Sequence, residues 1–359
     1  MVWPATRTFD IELYDEVRAL VEYAGFTIID HFLFQGIPLF YVSLPKSSKT
    51  AFLWLMNKLK PYGLYPTLRK RGDRYELKIL MKSTVKPRLA STPIIVGLLA
   101  VTLVAIFYAG YSQSIELARL HGLEIKPIFG GLTYTAAMMA VLATHEVGHM
   151  IASKIHGVEA TPPIFIPGPP PFGTFGAVIQ QKSLAPNKDA LFDIGIAGPL
   201  AGFVASLAVT VIGIQYSMIK PVVSPIQIKG ATPAPLIYSI ITNLVMRPPP
   251  GLVLIIPHPV AFAGWIGMII TMLNLIPAGM LDGGHIARCF MKPIHQNILA
   301  FVAIAVVAFQ GYVAMAILAL LMALMQRHPG PLDDVSPVAK WRKVLALAPI
   351  AIFILCLPI

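Results

Sequence analysis

The chain has 359 residues, of which 56% are hydrophobic and only 13% charged, and its mean hydropathy is +0.71. Those values exclude a string of ordinary soluble domains and point to a polytopic α-helical membrane protein. The net charge of +11 does not call for nucleic acid: the basic residues scatter along loops beside apolar segments, so lipid headgroups and membrane orientation account for it better. Cys289 and Cys356 are the two cysteines, too few for a disulfide framework or a cysteine-based metal site.

The opening text MVWPATRTFDIELYDE carries acids and a proline where a secretory signal needs a basic start and an apolar core, so the N-terminus is expected in the cytoplasm. Residues 1–88 are the soluble-looking block and are read as a small cytoplasmic α+β domain. They hold the alternating PLFYVSLP, the helical run SSKTAFLWLMNKLK and the strand-turn-strand text YPTLRKRGDRYELKIL. Arg69, Lys70 and Arg71 cluster beside a turn expected at Gly72 and Asp73. That cluster is either a solvated hairpin tip or a surface for a partner or anionic lipid.

Residues 89–359 form the expected transmembrane domain of about six helices. The first span is expected over 93–111, after the basic linker KPRLASTP, and the second over 132–155. Residues 161–182, TPPIFIPGPPPFGTFGAVIQQK, are apolar, but their prolines and glycines forbid a regular helix. Irregular backbone at membrane depth needs burial in protein or a wet cavity, so a re-entrant hairpin is expected between the second and third spans. Gly173, Gly176 and Ala177 permit close backbone approach there, and 176–180 offers an edge to an extended peptide. A loop lying at the interface is the bland alternative.

The third span is expected over 190–218, with GIAGPLAG suited to tight helix contacts and Asp193 as an interfacial polar residue. A short helix is expected over 235–246. The fourth span starts near Val260 and must break at Pro277 and the following glycines. Apolar text at 294–312 and 313–326 is either two short helices or one bent one. The linker RHPGPLDDVSPVAKWRK precedes a last apolar stretch at 344–359. Only Arg119, Lys126, Lys220, Lys229 and Arg247 fall in segments assigned outside, which places the N-terminal domain and the 145–149 motif towards the cytoplasm.

The chemistry sits in AVLATHEVGHMIASK, residues 140–154. Two histidines four apart on a helix share a face, so His145 and His149 suit one Zn²⁺, and Glu146 beside them suits a general base. The bland alternative is two histidines bonded to neighbouring backbone. A hydrolytic site needs a third ligand and an open position. Among acids deep in apolar text, Asp193 and Asp282 are the remaining candidates, and Asp282 lies at the broken helix on the same expected side. His258 is expected on the opposite side.

HEVGH in one span, followed by N-x-x-P-x-x-x-L-D-G-G (Asn274, Pro277, Leu281, Asp282, Gly283, Gly284) in a later one, resembles the site-2 protease family of intramembrane zinc metalloproteases. FGTFGAVI resembles that family's membrane-associated hairpin. The resemblance covers 93–326 and leaves 1–88 outside. It implies that His145, His149 and Asp282 ligate zinc, that Glu146 is general base and then proton donor, and that Asn274 holds substrate backbone or the oxyanion. Asn274 tying down the break at Pro277 is the alternative, and His285 matches no ligand position. The implied substrate is a single-span membrane protein, unwound before cleavage; the sequence assigns no oligomeric state. Rival readings are a metal-ion transporter, whose broken helices look alike, and a non-catalytic metal-dependent scaffold.

Overall fold

The computed structural model describes residues 9, 11–81, 91–122, 125–221, 233–251, 253–325 and 328–358. The basic linker at 86–88 and the segment 222–232 lie outside them. The chain divides into two compact units: Met1–Pro87 with Leu184–Leu191 and Pro329–Ala339, and Arg88–Ser183 with Phe192–His328 and Lys340–Ile359.

In the first unit, helix α1 (Ile11–Tyr23) and helix α2 (Ser48–Leu59) place apolar residues three or four apart, so Val17, Val21, Phe52, Leu55 and Leu59 fall on buried faces. Strands β1 (Thr27–Phe34), β2 (Ile37–Ser43), β3 (Leu64–Arg71) and β4 (Arg74–Met81) form an antiparallel sheet of order β1-β2-β4-β3. The turn at Gly72 and Asp73 is where the sequence puts it: Arg71 pairs with Arg74, and Gly72 has φ 60°. Phe26, Phe40, Leu68, Leu77 and Ile79 fill the core with the helical residues.

Part of that core comes from far along the chain. The text at 327–343 reads as a polar linker, yet Leu332 is 5% exposed and belongs to this core. Backbone pairing explains it: Leu68 N–H donates to Leu332 O (2.9 Å) and Asp334 N–H to Leu68 O (3.1 Å). Asp333 is buried, its Oδ1 accepting from the backbone of Val335 and Ser336 at 2.9 Å each. Lys49 donates to Asp189 Oδ2 at 2.7 Å, and Ala339 N–H to Asp189 Oδ1 at 2.9 Å.

The second unit is mostly helical. Three helices among the described residues are long and apolar enough to cross a membrane: α3 (Thr92–His121), α4 (Pro127–Ile155) and α5 (Lys188–Ile214). The helix α3 runs ten residues past the expected end at 111 because SQSIELARLH is helix-compatible, though too polar to register as span. Ser112 and Ser114 satisfy their hydroxyls on the α3 backbone, at Tyr108 O and Gly110 O. The third expected span ends earlier than predicted, at Ile214, where Met218–Pro221 becomes strand β7.

Between α4 and α5, β5 (Ile164–Pro167) and β6 (Thr174–Val178) pair antiparallel, with a register shift next to Ile166. Gly173 lets this hairpin press on α3: a Cβ there would lie 2.5 Å from Ile106 Cα. Tyr134 of α4 donates from its hydroxyl to Pro171 O (3.2 Å) and Phe172 O (3.1 Å).

Helix α6 (Leu236–Met246) and strand β8 (Val253–Ile256), which pairs with β7, precede α7 (Pro259–Asn274). The break at Pro277 falls as expected, between α7 and the short α8 (Asp282–Phe290). Gly283 is required there because a Cβ would collide with Leu275 O. After it, α9 (Pro293–Phe309) and α10 (Val313–Met325) are two separate helices, parted where Gly311 has φ 89°. Two short helices, α11 (Lys340–Leu345) and α12 (Leu347–Cys356), follow.

Candidate metal centre

Helix α4 carries His145, Glu146 and His149 on consecutive turns, and α8 begins at Asp282, so one continuous helix and one broken one supply the set. His145 Nε2 and His149 Nε2 lie 3.1 Å apart. Asp282 Oδ2 is 3.3 Å from His145 Nε2, and Asp282 Oδ1 is 3.2 Å from His149 Nε2. Ligands about 2.0–2.1 Å from a tetrahedral ion are separated by about 3.3–3.4 Å, so these spacings fit a common centre.

The donor chemistry fits as well. His149 Nδ1–H donates to Ile194 O at 2.8 Å, which in the neutral ring leaves the lone pair on Nε2, the atom that faces the group. A lone pair and a carboxylate brought this close in a buried site call for a cation between them. Among the described residues, His145, His149 and Asp282 are the group of metal-ligating side chains that converge in this way.

Helix α5 forms the floor. A Cβ on Gly198 would run into the His149 ring, and one on Gly202 would lie 2.8 Å from His145 Nδ1. On Gly195 it would lie 3.0 Å from His285 Cβ and 3.2 Å from Asp282 O. The GIAGPLAG text therefore brings α5 backbone up to the three converging side chains, a role that the expected helix contacts only partly anticipate.

A cleft opens from the same point. Its walls include Leu142, His145, Glu146, Phe175, Ala177 and Asn274. Glu146 is 4% exposed overall yet reaches the cleft wall. Asn274 Nδ2 lies 3.4 Å from His145 Nε2, beside the His145, His149 and Asp282 group and outside it. Gly176, with φ 101°, has open space where a Cβ would stand.

Residues 133–319, just over half of the chain, match the model of peptidase family M50. The chain belongs to that family, the site-2 proteases. The match includes His145, Glu146, His149, Asn274 and Asp282 and ends before α11. It is similar to proteins named "Probable zinc metalloprotease EGY1, chloroplastic" from Oryza sativa subsp. japonica, at 31% identity over 61% of this chain and 39% of the relative, and from Arabidopsis thaliana, at 30% over 62% and 42%. "Probable zinc metalloprotease EGY2, chloroplastic" from Arabidopsis thaliana is 27% identical over 70% and 49%. The M50 chain thus spans less than half the length of these relatives. No solved structure matches it.

The other sequence candidates lie elsewhere. Asp193 is engaged by Arg342 and His156. His258 caps α7, its Nδ1 accepting from Val260 N–H at 3.2 Å. His285 pairs with His328 at 2.5 Å. Sequence reading missed Ile194, whose part is played by a backbone carbonyl that no side-chain pattern reveals.

Proposed function

We propose that this M50 chain is an intramembrane zinc metalloprotease that cleaves peptide bonds in or near transmembrane segments of single-span membrane proteins. The observation that carries the reading is the convergence of His145, His149 and Asp282 within 3.1–3.3 Å, with Glu146 beside them and a cleft lined by Glu146, His145 and Asn274 in front. His145, His149 and Asp282 would hold Zn²⁺. When bound, the ion supplies Lewis acidity that lowers the pKa of water and polarises a carbonyl.

Glu146 takes the proton from the attacking water and delivers it to the leaving amine nitrogen, the task its place on the cleft wall supports. Asn274 directs its amide N–H groups at substrate backbone or at the charge developing on the scissile carbonyl oxygen. The scissile bond must reach them in an extended segment, since a helical peptide bond is shielded by its own turns. Among the described residues, β6 has one ladder partner, β5, and Phe175, Gly176 and Ala177 line the cleft. This edge is proposed to bind the unwound substrate by backbone hydrogen bonds.

In the wider arrangement proposed here, 1–88 form a cytoplasmic domain, joined by 184–191 and 329–339, and the rest of 89–359 forms the membrane protease domain. The same proposal has about six spans, the β5–β6 hairpin re-entering the bilayer, and the site towards the cytoplasm of the cell membrane. The shorter apolar helices Leu236–Met246, Pro259–Asn274 and Pro293–Phe309 support the additional membrane-embedded elements.

The test is cleavage of a labelled single-span substrate by purified protein, with and without chelator. Glu146→Gln is expected to retain zinc and lose cleavage by roughly 10²–10⁴-fold. Cleavage that persists in Glu146→Gln sinks the assignment, and zinc-dependent flux in its place favours a transporter.

A further inference from the structure

One charged network next to the metal centre is not used by the chemistry above. Asp193, on α5, receives a forked pair of bonds from Arg342 of α11: Nε–H to Oδ1 at 2.7 Å and Nη2–H to Oδ2 at 2.5 Å. His156, the residue that ends α4, contacts Asp193 Oδ2 through Nε2 at 2.8 Å. The three side chains are only 13–21% exposed, so the pairing is neither solvated nor easily replaced.

Its position matters more than its strength. The residue after Asp193 is Ile194, whose carbonyl orients the His149 ring. The next glycines of the same helix, Gly195, Gly198 and Gly202, lie against Asp282, His149 and His145. A slide or rotation of α5 against α4 would therefore disturb the Ile194 bond and all three ligand seats at once. The small residues that allow this close approach carry no side chains able to resist such a slide. The polar lock at this end of the two helices is Asp193, joined to α4 through His156 and braced by Arg342. Arg342 stands outside residues 133–319, so the brace comes from beyond the matched family region.

We propose that Asp193, clamped by Arg342 and His156, is a positioning residue that holds α5 in the register at which the Ile194 carbonyl presents His149 to the metal. This rests on the metal-site reading above, and its test separates the two. Full-length protein in detergent is stripped of metal, and zinc affinity is measured against a chromophoric chelator, with Co²⁺ as a spectroscopic reporter. Arg342→Gln is expected to weaken zinc binding by roughly tenfold, the scale of losing an outer-shell partner of a ligating histidine, and to shift the visible bands of Co²⁺. Arg342→Lys keeps the charge and recovers part of the affinity. Lys78→Gln, which removes a 2.8 Å ion pair with Glu76 in the first unit, leaves affinity unchanged. If Arg342→Gln does not fold, His156→Gln reads the same network from the α4 side. Wild-type affinity and Co²⁺ bands in the variant overturn the proposal and leave the protease reading standing. A wild-type protein that binds no zinc overturns the metal site itself.

Discussion

A methyl group at position 198 has no room, because a Cβ there would overlap the His149 ring at its Cδ2. Gly198→Ala must push the imidazole or the helix aside, and overpacking of this kind costs about 1–3 kcal/mol. Zinc affinity measured by chelator competition is expected to fall in Gly198→Ala while the far-ultraviolet spectrum stays helical. Asp282→Ala removes the one carboxylate from the group, and its loss is expected to exceed the 10–100-fold typical of an outer-shell change. Full zinc content in purified Asp282→Ala would show that the third ligand is another group. His145, Glu146 and His149 are legible in sequence because an α-helix converts a spacing of four into a shared face. Asp282 is legible only with the second motif beside it, and Ile194 is not legible at all, since every residue carries the same carbonyl.

At the scale of elements, the β5–β6 hairpin is held from two sides. Tyr134 bonds its Pro171 and Phe172 carbonyls, and Gly173, at φ 77°, packs directly on α3. Tyr134→Phe removes the single hydroxyl proton shared between those two carbonyls, a loss of about 0.5–1.5 kcal/mol. We expect substrate cleavage to fall several-fold in that variant with zinc content unchanged, read from product formation and bound metal in the same sample. Reduced zinc content in Tyr134→Phe would show that the hairpin holds the metal site rather than the substrate. The hairpin follows from the prolines and glycines of 161–182, which exclude helix. Its seat on α3 and α4 does not, because the surfaces that receive it belong to other segments. The same contrast holds for α3, whose amphiphilic last turns are invisible to a hydropathy window yet continue the helix without strain.

At the scale of the molecule, the first unit draws on three stretches of chain. Leu332 lies over 260 positions from the strand it pairs with, yet it is buried in the same core as Leu68 and Phe40. Leu332→Ala is expected to destabilise this unit by about 2–5 kcal/mol, seen as faster amide exchange in β3 and β4. Unchanged exchange there would place Leu332 outside the cooperative core. Composition and hydrophobic patterning alone determined that this is a membrane protein, that residues 1–88 contain helix and strands, and that one helix carries two histidines on a shared face. These are local properties, set by side-chain period and by the cost of placing polar groups in lipid. The tertiary structure alone decided that Asp282 meets the two histidines, that glycine backbone forms their floor, and that 329–339 complete a sheet domain begun at the other end of the chain. Each of these depends on which surfaces come together when distant segments pack, and no window along the chain contains both surfaces.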